Sequence, residues 1–332
     1  VQGREGLLWI VTNGMGFHIF DAVEQRFVAT YSRRETPGLD LPSDTCSAVY
    51  RDASGMIWFG TNRGVVQYSP LFNRFSHVRL PEVARGGGQT APSLVGAMDC
   101  DGMGTVWCEA EGVLYGWRPH SNIWTTTPLD IADGSGLPIR VESMVALDSG
   151  KVWLGANIPI VVDPETGEYS SHPIIRHREN DPASRVLAMV QDPERGVWVG
   201  ALHGGLNLFD PDGTLLGNWG VRPGETHHLV GDETSILKYW VSALLLDSQG
   251  RLYIGYDDGG FSIYLPEREH FTHFDGDGIH VLGTVTRFLE DGRGLVWIAT
   301  RMGLTRFDPA TQAMDTYTIH DGLPSASVRS LE

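Results

Sequence analysis

Arginines, imidazoles and carboxylates recur in this chain just after short apolar segments, at positions where their types differ from one segment to the next. Arg63, His203, the pair Asp257 and Asp258, and Arg301 each follow such a segment. Arg176 and Arg178 flank His177 in one of the intervals between segments, and Trp240 closes the longest interval, which begins at Val221. Asn62, Glu109 and Glu111 occupy the first kind of position, and Arg33, Arg34, His227, His228 and His320 the second. Guanidinium forks, carboxylates and imidazoles together offer the donors and acceptors that a sugar or an acidic sugar derivative needs. An indole adds an apolar face with one polar edge, suited to stacking on a sugar ring. For each residue the plain alternative stays open: a solvated loop charge, or, for Trp240, a connector packed onto its own sheet.

Other chemistries find little footing. Asp210-Pro211-Asp212-Gly213 and Asp275-Gly276-Asp277-Gly278 look like the opening of a calcium loop, but the remaining oxygen ligands and the closing glutamate are missing. His227-His228 has no metal-motif partner at the needed spacing. Cys46, Cys100 and Cys108 are too few and oddly numbered for a disulfide framework. The recurring Asp-x-x-Gly-x-x-Trp, as at Asp52 to Trp58, differs from the Asp box of sialidases, which has a single residue between Asp and Gly. No catalytic residue, no metal and no cofactor is expected. The 41 acidic residues against 25 basic ones give a charge of −16, which disfavours nucleic acid and anionic membrane surfaces as partners. No run approaches the roughly 20 apolar residues of a membrane-spanning helix.

The elements that must hold these loops follow from a repeat. An aromatic flanked by apolar residues, then usually a small residue, occurs at Trp9, Trp58, Trp107, Trp153, Trp198, Tyr253 and Trp297. Periods of about 40 to 50 residues with four strands each indicate a β-propeller, so the expectation is an all-β, seven-bladed β-propeller of four-stranded antiparallel blades, a single domain over 1–332. Each unit resolves into strands A to D. An Asp and Gly mark the A–B hairpin (Asp52 with Gly55, Asp148 with Gly150, Asp192 with Gly196, Asp247 with Gly250, Asp291 with Gly294). The aromatic phrase is strand B, and its indoles are expected between sheets as core. The chain opens at a strand B and ends in Ser327 to Glu332, which reads as a strand A, so the last strand is expected beside the Trp9 strand. Both ends cut through a repeat, which suggests a parent chain continuing in both directions. In such blades the B–C loops and D-to-A connectors share the face that rims the central funnel, the expected place for a ligand.

The segment Leu295 to Pro309, followed by Asp321-Gly322-Leu323-Pro324-Ser325, resembles the two-component regulator propeller repeat, as do Met56 to Tyr68 and Val197 to Pro211. The third unit departs most, with Cys108-Glu109-Ala110-Glu111, and the fourth has Asn157-Ile158-Pro159. The resemblance implies a periplasmic sensor region of an inner-membrane receptor whose parent chain has one or two propellers, then a β-sandwich, a membrane helix and a histidine kinase or diguanylate cyclase. By that analogy the ligand is a small polar molecule or oligosaccharide. Streptogramin lyase is similar as a seven-bladed propeller with Gly-x-Trp phrases and represents the enzyme alternative; a scaffold or adhesion module is the third.

Overall fold

A computed structural model describes residues 6–12, 14–34, 36, 41–52, 55–69, 74–83, 95–118, 121, 123–129, 140–174, 184–220, 233–275, 283–323 and 325–332. Arg176, Arg178, His177, His227, His228 and the Gly276-Asp277-Gly278 stretch lie outside them. Blade 1 holds β1 (Leu7–Thr12), β2 (Phe17–Asp21) and β3 (Arg26–Tyr31). Blade 2 holds β4 (Cys46–Arg51), β5 (Ile57–Thr61), β6 (Gly64–Ser69) and β7 (Arg74–Val78). Blade 3 is β8 (Val95–Cys100), β9 (Val106–Ala110), β10 (Val113–Arg118) and β11 (Ile123–Pro128). Blade 4 is β12 (Ser143–Ala146), β13 (Val152–Gly155), β14 (Pro159–Val162) and β15 (Tyr169–Ser171). Blade 5 is β16 (Arg185–Asp192), β17 (Gly196–Leu202), β18 (Gly205–Phe209) and β19 (Leu215–Trp219). Blade 6 is β20 (Val241–Leu246), β21 (Leu252–Tyr256), β22 (Phe261–Leu265) and β23 (His270–Phe274). Blade 7 is β24 (Val285–Glu290), β25 (Val296–Thr300), β26 (Gly303–Phe307) and β27 (Met314–Tyr317).

The last strand, β28 (Val328–Leu331), joins β1, and Trp9 and Glu332 exchange backbone hydrogen bonds of 2.7 and 3.0 Å. Every sheet runs A-B-C-D in order, so the protein is a seven-bladed β-propeller, with only two 3₁₀ turns as helix among the described residues. Contacts divide the chain into two compact units: Val1–Trp153 with Val162–Tyr169 and Arg329–Glu332, and Leu154–Val161 with Ser170–Val328.

The A–B hairpin explains why strand B repeats so faithfully. In blade 2, Asp52 Oδ1 accepts the Met56 N–H at 3.0 Å while Oδ2 accepts the Trp58 indole N–H at 2.7 Å. Asp101 with Trp107, Asp192 with Trp198, and Asp291 with Trp297 repeat the indole bond at 2.9, 3.1 and 3.1 Å. Burial favours the neutral acid at Asp291. The hydrogen bonds from Trp297, Arg293 and Leu295 outweigh it and hold the carboxyl below the usual aspartate range. Two turns differ from expectation. In blade 4 the position six residues before the aromatic is Leu147, whose N–H and C=O close the turn, so Asp148 sits one place too late for the clamp. In blade 5 Arg195 takes the place that glycine fills elsewhere, and it pairs with Asp192 and Glu267.

The strand B aromatic packs against the next blade. Trp9 meets Tyr68 of β6 at 4.8 Å between ring centroids, Trp58 meets Trp117 of β10 at 4.7 Å, and Trp198 meets Tyr264 of β22 at 5.8 Å. The small residue of strand B has an equally direct cause. A side chain at Gly200 or Gly255 would collide with Val241 or Val285, the first residue of strand A in the following blade. Just past the corresponding residue (Cys46, Val95, Val186, Val241 or Val285) the A–B register slips by one residue in blades 2, 3, 5, 6 and 7. Three of the extra residues carry hydroxyls that reach the next blade: Ser47 donates to Val95 O, Ser242 to Val285 O and Thr286 to Val328 O, at 3.2, 2.7 and 2.7 Å.

Blade 1 also buries an imidazole. His18 lies between the hydroxyls of Thr12 and Thr30 at 3.2 and 3.1 Å, and burial lowers its pKa from 6.5 to about 4. The unfolded chain therefore takes up this proton before the folded one does, and stability rises with pH across that interval. Chemical denaturation is expected to show a loss of up to about 3 kcal/mol between pH 6.5 and pH 4. Replacing His18→Gln should flatten that slope, and an unchanged slope in the variant would assign it to other groups.

Candidate functional site

Antiparallel A-B-C-D order places the B–C loops and the D-to-A connectors at the same end of each blade. In the second unit this end brings together four of the residues read from the sequence. His203 occupies the β17–β18 turn at φ 63°, a left-handed conformation uncommon for a residue other than glycine. Its Nδ1 accepts the Trp240 indole N–H at 3.3 Å, and the two rings meet edge to face at 5.6 Å. With Nδ1 as acceptor, the neutral imidazole carries its proton on Nε2. Trp240, 42% exposed, immediately precedes β20.

The next two residues of the site are attached through backbone. Trp240 O accepts the Asp257 N–H at 2.9 Å, the Thr284 hydroxyl donates to Asp257 O, and Thr284 O accepts the Arg301 N–H at 3.1 Å. Asp257 in the β21–β22 loop and Arg301 in the β25–β26 loop thus stand side by side. Their charged groups are 4.0 Å apart, and the Arg301 side chain is 64% exposed. At that separation they attract without forming a hydrogen bond.

A residue the sequence reading passed over holds this end in place. Lys238 Nζ donates to Gly259 O at 2.8 Å, pairs with Asp275 at 2.6 Å, and lies 3.7 Å from Asp258. It is one of only two lysines, with Lys151, and lies two residues before Trp240. That combination was the available signal. Around it, Leu237 N–H donates to Tyr256 Oη at 3.1 Å and Gly205 N–H to Tyr239 O at 3.2 Å. The Tyr256 hydroxyl continues to Ser262 and then to His273 Nδ1 at 2.8 and 2.7 Å. The connector 236–240 is therefore stitched to the B–C loops of blades 5 and 6.

The remaining sequence candidates fall elsewhere. Arg63 lies in the first unit, in the β5–β6 turn, where its N–H donates to Thr61 Oγ1 at 3.1 Å. Glu109 is a buried residue of β9 rather than a loop group, and its Oε1 accepts the Gly112 N–H at 2.6 Å. Asp210 anchors a turn by accepting from Asp212 and Thr214 N–H at 3.0 and 2.7 Å, which is the ordinary structural use of that phrase. Among the described residues no group of three or more His, Cys, Asp or Glu side chains is placed to hold a metal ion.

Sequence and structure comparisons bear on the same elements. The family model described as Two component regulator propeller matches residues 40–63, the stretch that contains β4, the Asp52 turn, Trp58 and Arg63. No curated protein matches the chain. The solved WD40 repeats of RRP9 superpose with a TM-score of 0.64 at 11% identity, covering 89% of this chain and 84% of that one. A catalytically inactive virginiamycin B lyase from Staphylococcus aureus, solved with quinupristin, gives 0.60 at 9% identity, covering 90% and 93%. Both likenesses are of fold alone. The extracellular domain of a proposed one component system from B. thetaiotaomicron is 19% identical with a TM-score of 0.49. That match covers 96% of this chain, which spans 40% of the other's length.

The role given to Lys238 is open to measurement. A double-mutant cycle of Lys238→Met with Asp275→Asn should return a coupling of about 0.5–1 kcal/mol, as for partly exposed pairs. Zero coupling would remove the Lys238–Asp275 pair as a tie between this connector and the start of the next.

Proposed function

Starting from a chain that carries a two component regulator propeller repeat at residues 40–63, we propose that it is the ligand-sensing propeller of a bacterial receptor. In this reading it lies outside the cytoplasm, in the periplasm, as part of an inner-membrane protein. Its parent chain supplies a histidine kinase or diguanylate cyclase output, along with a β-sandwich and one or two propellers in all. The ligand is a small polar molecule of saccharide type, and the chain itself binds without catalysing a reaction or needing a cofactor.

The observation that carries the reading is the contiguous set His203, Trp240, Asp257 and Arg301 at the B–C end of blades 5 to 7. It combines an exposed indole with charged donors and acceptors, whereas strand positions repeat from blade to blade. Variable loops on a uniform scaffold are how a repeat fold acquires one specific site. Asp258 supports this set through Lys238, while Arg63, Arg176 and Arg178 are proposed as ligand contacts on the sequence reading alone.

A thermal-shift screen of the 332-residue chain against glycans and small metabolites tests it, followed by titration of each hit. Losing one well-used charged hydrogen bond costs about 1.5–3 kcal/mol, so Arg301→Gln should weaken a hit roughly ten- to a hundredfold. Trp240→Ala should do the same through lost stacking. Hits that bind both variants as tightly as the parent place the site elsewhere.

A further inference from the structure

We infer that the Trp240–Asp257–Arg301 site selects a neutral saccharide and rejects a uronic acid; the inference rests on the ligand-binding reading above and specifies its substrate class. Three observations combine. The first is the state of the indole. Its N–H is already committed to His203 Nδ1, so what Trp240 offers a ligand is its apolar face, and the ring is 42% exposed. Such a face suits the C–H side of a pyranose, whose hydroxyls lie at the ring edge.

The second is the spacing of Asp257 and Arg301. At 4.0 Å they are too far apart to satisfy one another, yet close enough to address the same small molecule. A guanidinium donates only and a carboxylate accepts only. A pair of neighbouring hydroxyls matches both: one oxygen accepts from Arg301 while the other O–H donates to Asp257. A ligand carboxylate matches only the arginine and meets Asp257 as a like charge.

The third is the local charge balance. Lys238 is held by Asp275, Gly259 O and Asp258, and its side chain is 22% exposed. That leaves Arg301 as the exposed cation of the cluster among the described residues, near Asp257, with Asp258 next in sequence at 47% exposure. Counting Lys238 and Arg301 against Asp257, Asp258 and Asp275, the cluster is net acidic by one charge, within a chain of net charge −16. Both features repel an anion.

The experiment is calorimetric titration of the 332-residue chain with cellohexaose, mannohexaose and xylohexaose, and with hexagalacturonate, at low and at 0.5 M salt. At least one neutral hexasaccharide should bind at least tenfold more tightly than hexagalacturonate at low salt, and the gap should narrow at high salt as charge is screened. Trp240→Ala and Asp257→Asn should each weaken the neutral ligand tenfold or more. Asp257→Asn should also strengthen hexagalacturonate, a gain that misfolding does not produce. Hexagalacturonate binding more tightly than the neutral ligands, and lost in Arg301→Gln, would overturn the selectivity while leaving the ligand site in place. A non-saccharide hit lost in Trp240→Ala would likewise overturn it alone. Binding of any of these ligands unaffected by all three substitutions would overturn both the selectivity and the site.

Discussion

One carboxylate, placed six residues before the core aromatic, sets the geometry on which each clamped blade depends. The aspartate must accept two kinds of donor at once, the N–H groups of the turn and the indole N–H of strand B. Both lie in a region shielded from water, where an unmet donor costs about 1–3 kcal/mol. The bond fixes where the hairpin turns and also how far the indole leans towards the next blade. The strand C aromatic, the strand B glycine and the strand A valine of neighbouring blades then have little freedom of type. In this sense the repeat is a chain of steric consequences that starts at a turn.

The opposite end of the blade carries no such demand, and sequence varies there. At the B–C end of blades 5 to 7 the backbone makes the connections: Asp257 bonds to Trp240, and Thr284 links Asp257 to Arg301. Side chains are consequently available outward. Lys238 ties its connector to a B–C loop through Gly259 O and to the start of the following connector through Asp275. The proposed ligand site is preorganised by backbone and tied by a largely covered lysine, so little ordering would remain to offset binding.

Much of this was legible in the sequence because the constraint recurs. Seven aromatic phrases gave seven blades, and the complementary ends gave the pairing of β28 with β1. The loops were legible as a class, since they break the repeat. What escaped was chemistry that does not recur in type. The bulge residue is Ser47, Ser242 or Thr286 where it clasps the next blade, but Gly96 and Leu187 at the same register, so no pattern announces it. Asp148 looked equivalent to its neighbours yet sits one residue late, because spacing to the tryptophan, and not the presence of an acid, decides whether the clamp forms. Lys238 was visible only as a rare residue, and its meaning depends on Gly259 and Asp275, which are remote in sequence.

The account sets four indoles locked by a carboxylate against Trp240, whose indole is turned outward and tied to a histidine. Indole ¹H–¹⁵N correlation spectra of the 332-residue chain during titration with mannohexaose, cellohexaose or xylohexaose test that division directly, with Trp240 assigned from Trp240→Phe. The account predicts slow solvent exchange for the Trp58, Trp107, Trp198 and Trp297 indole protons and faster exchange for Trp240. It also predicts that ligand shifts the Trp240 signal and leaves those four in place. Ligand shifts confined to the clamped indoles, or a Trp240 proton as protected as theirs, would contradict it.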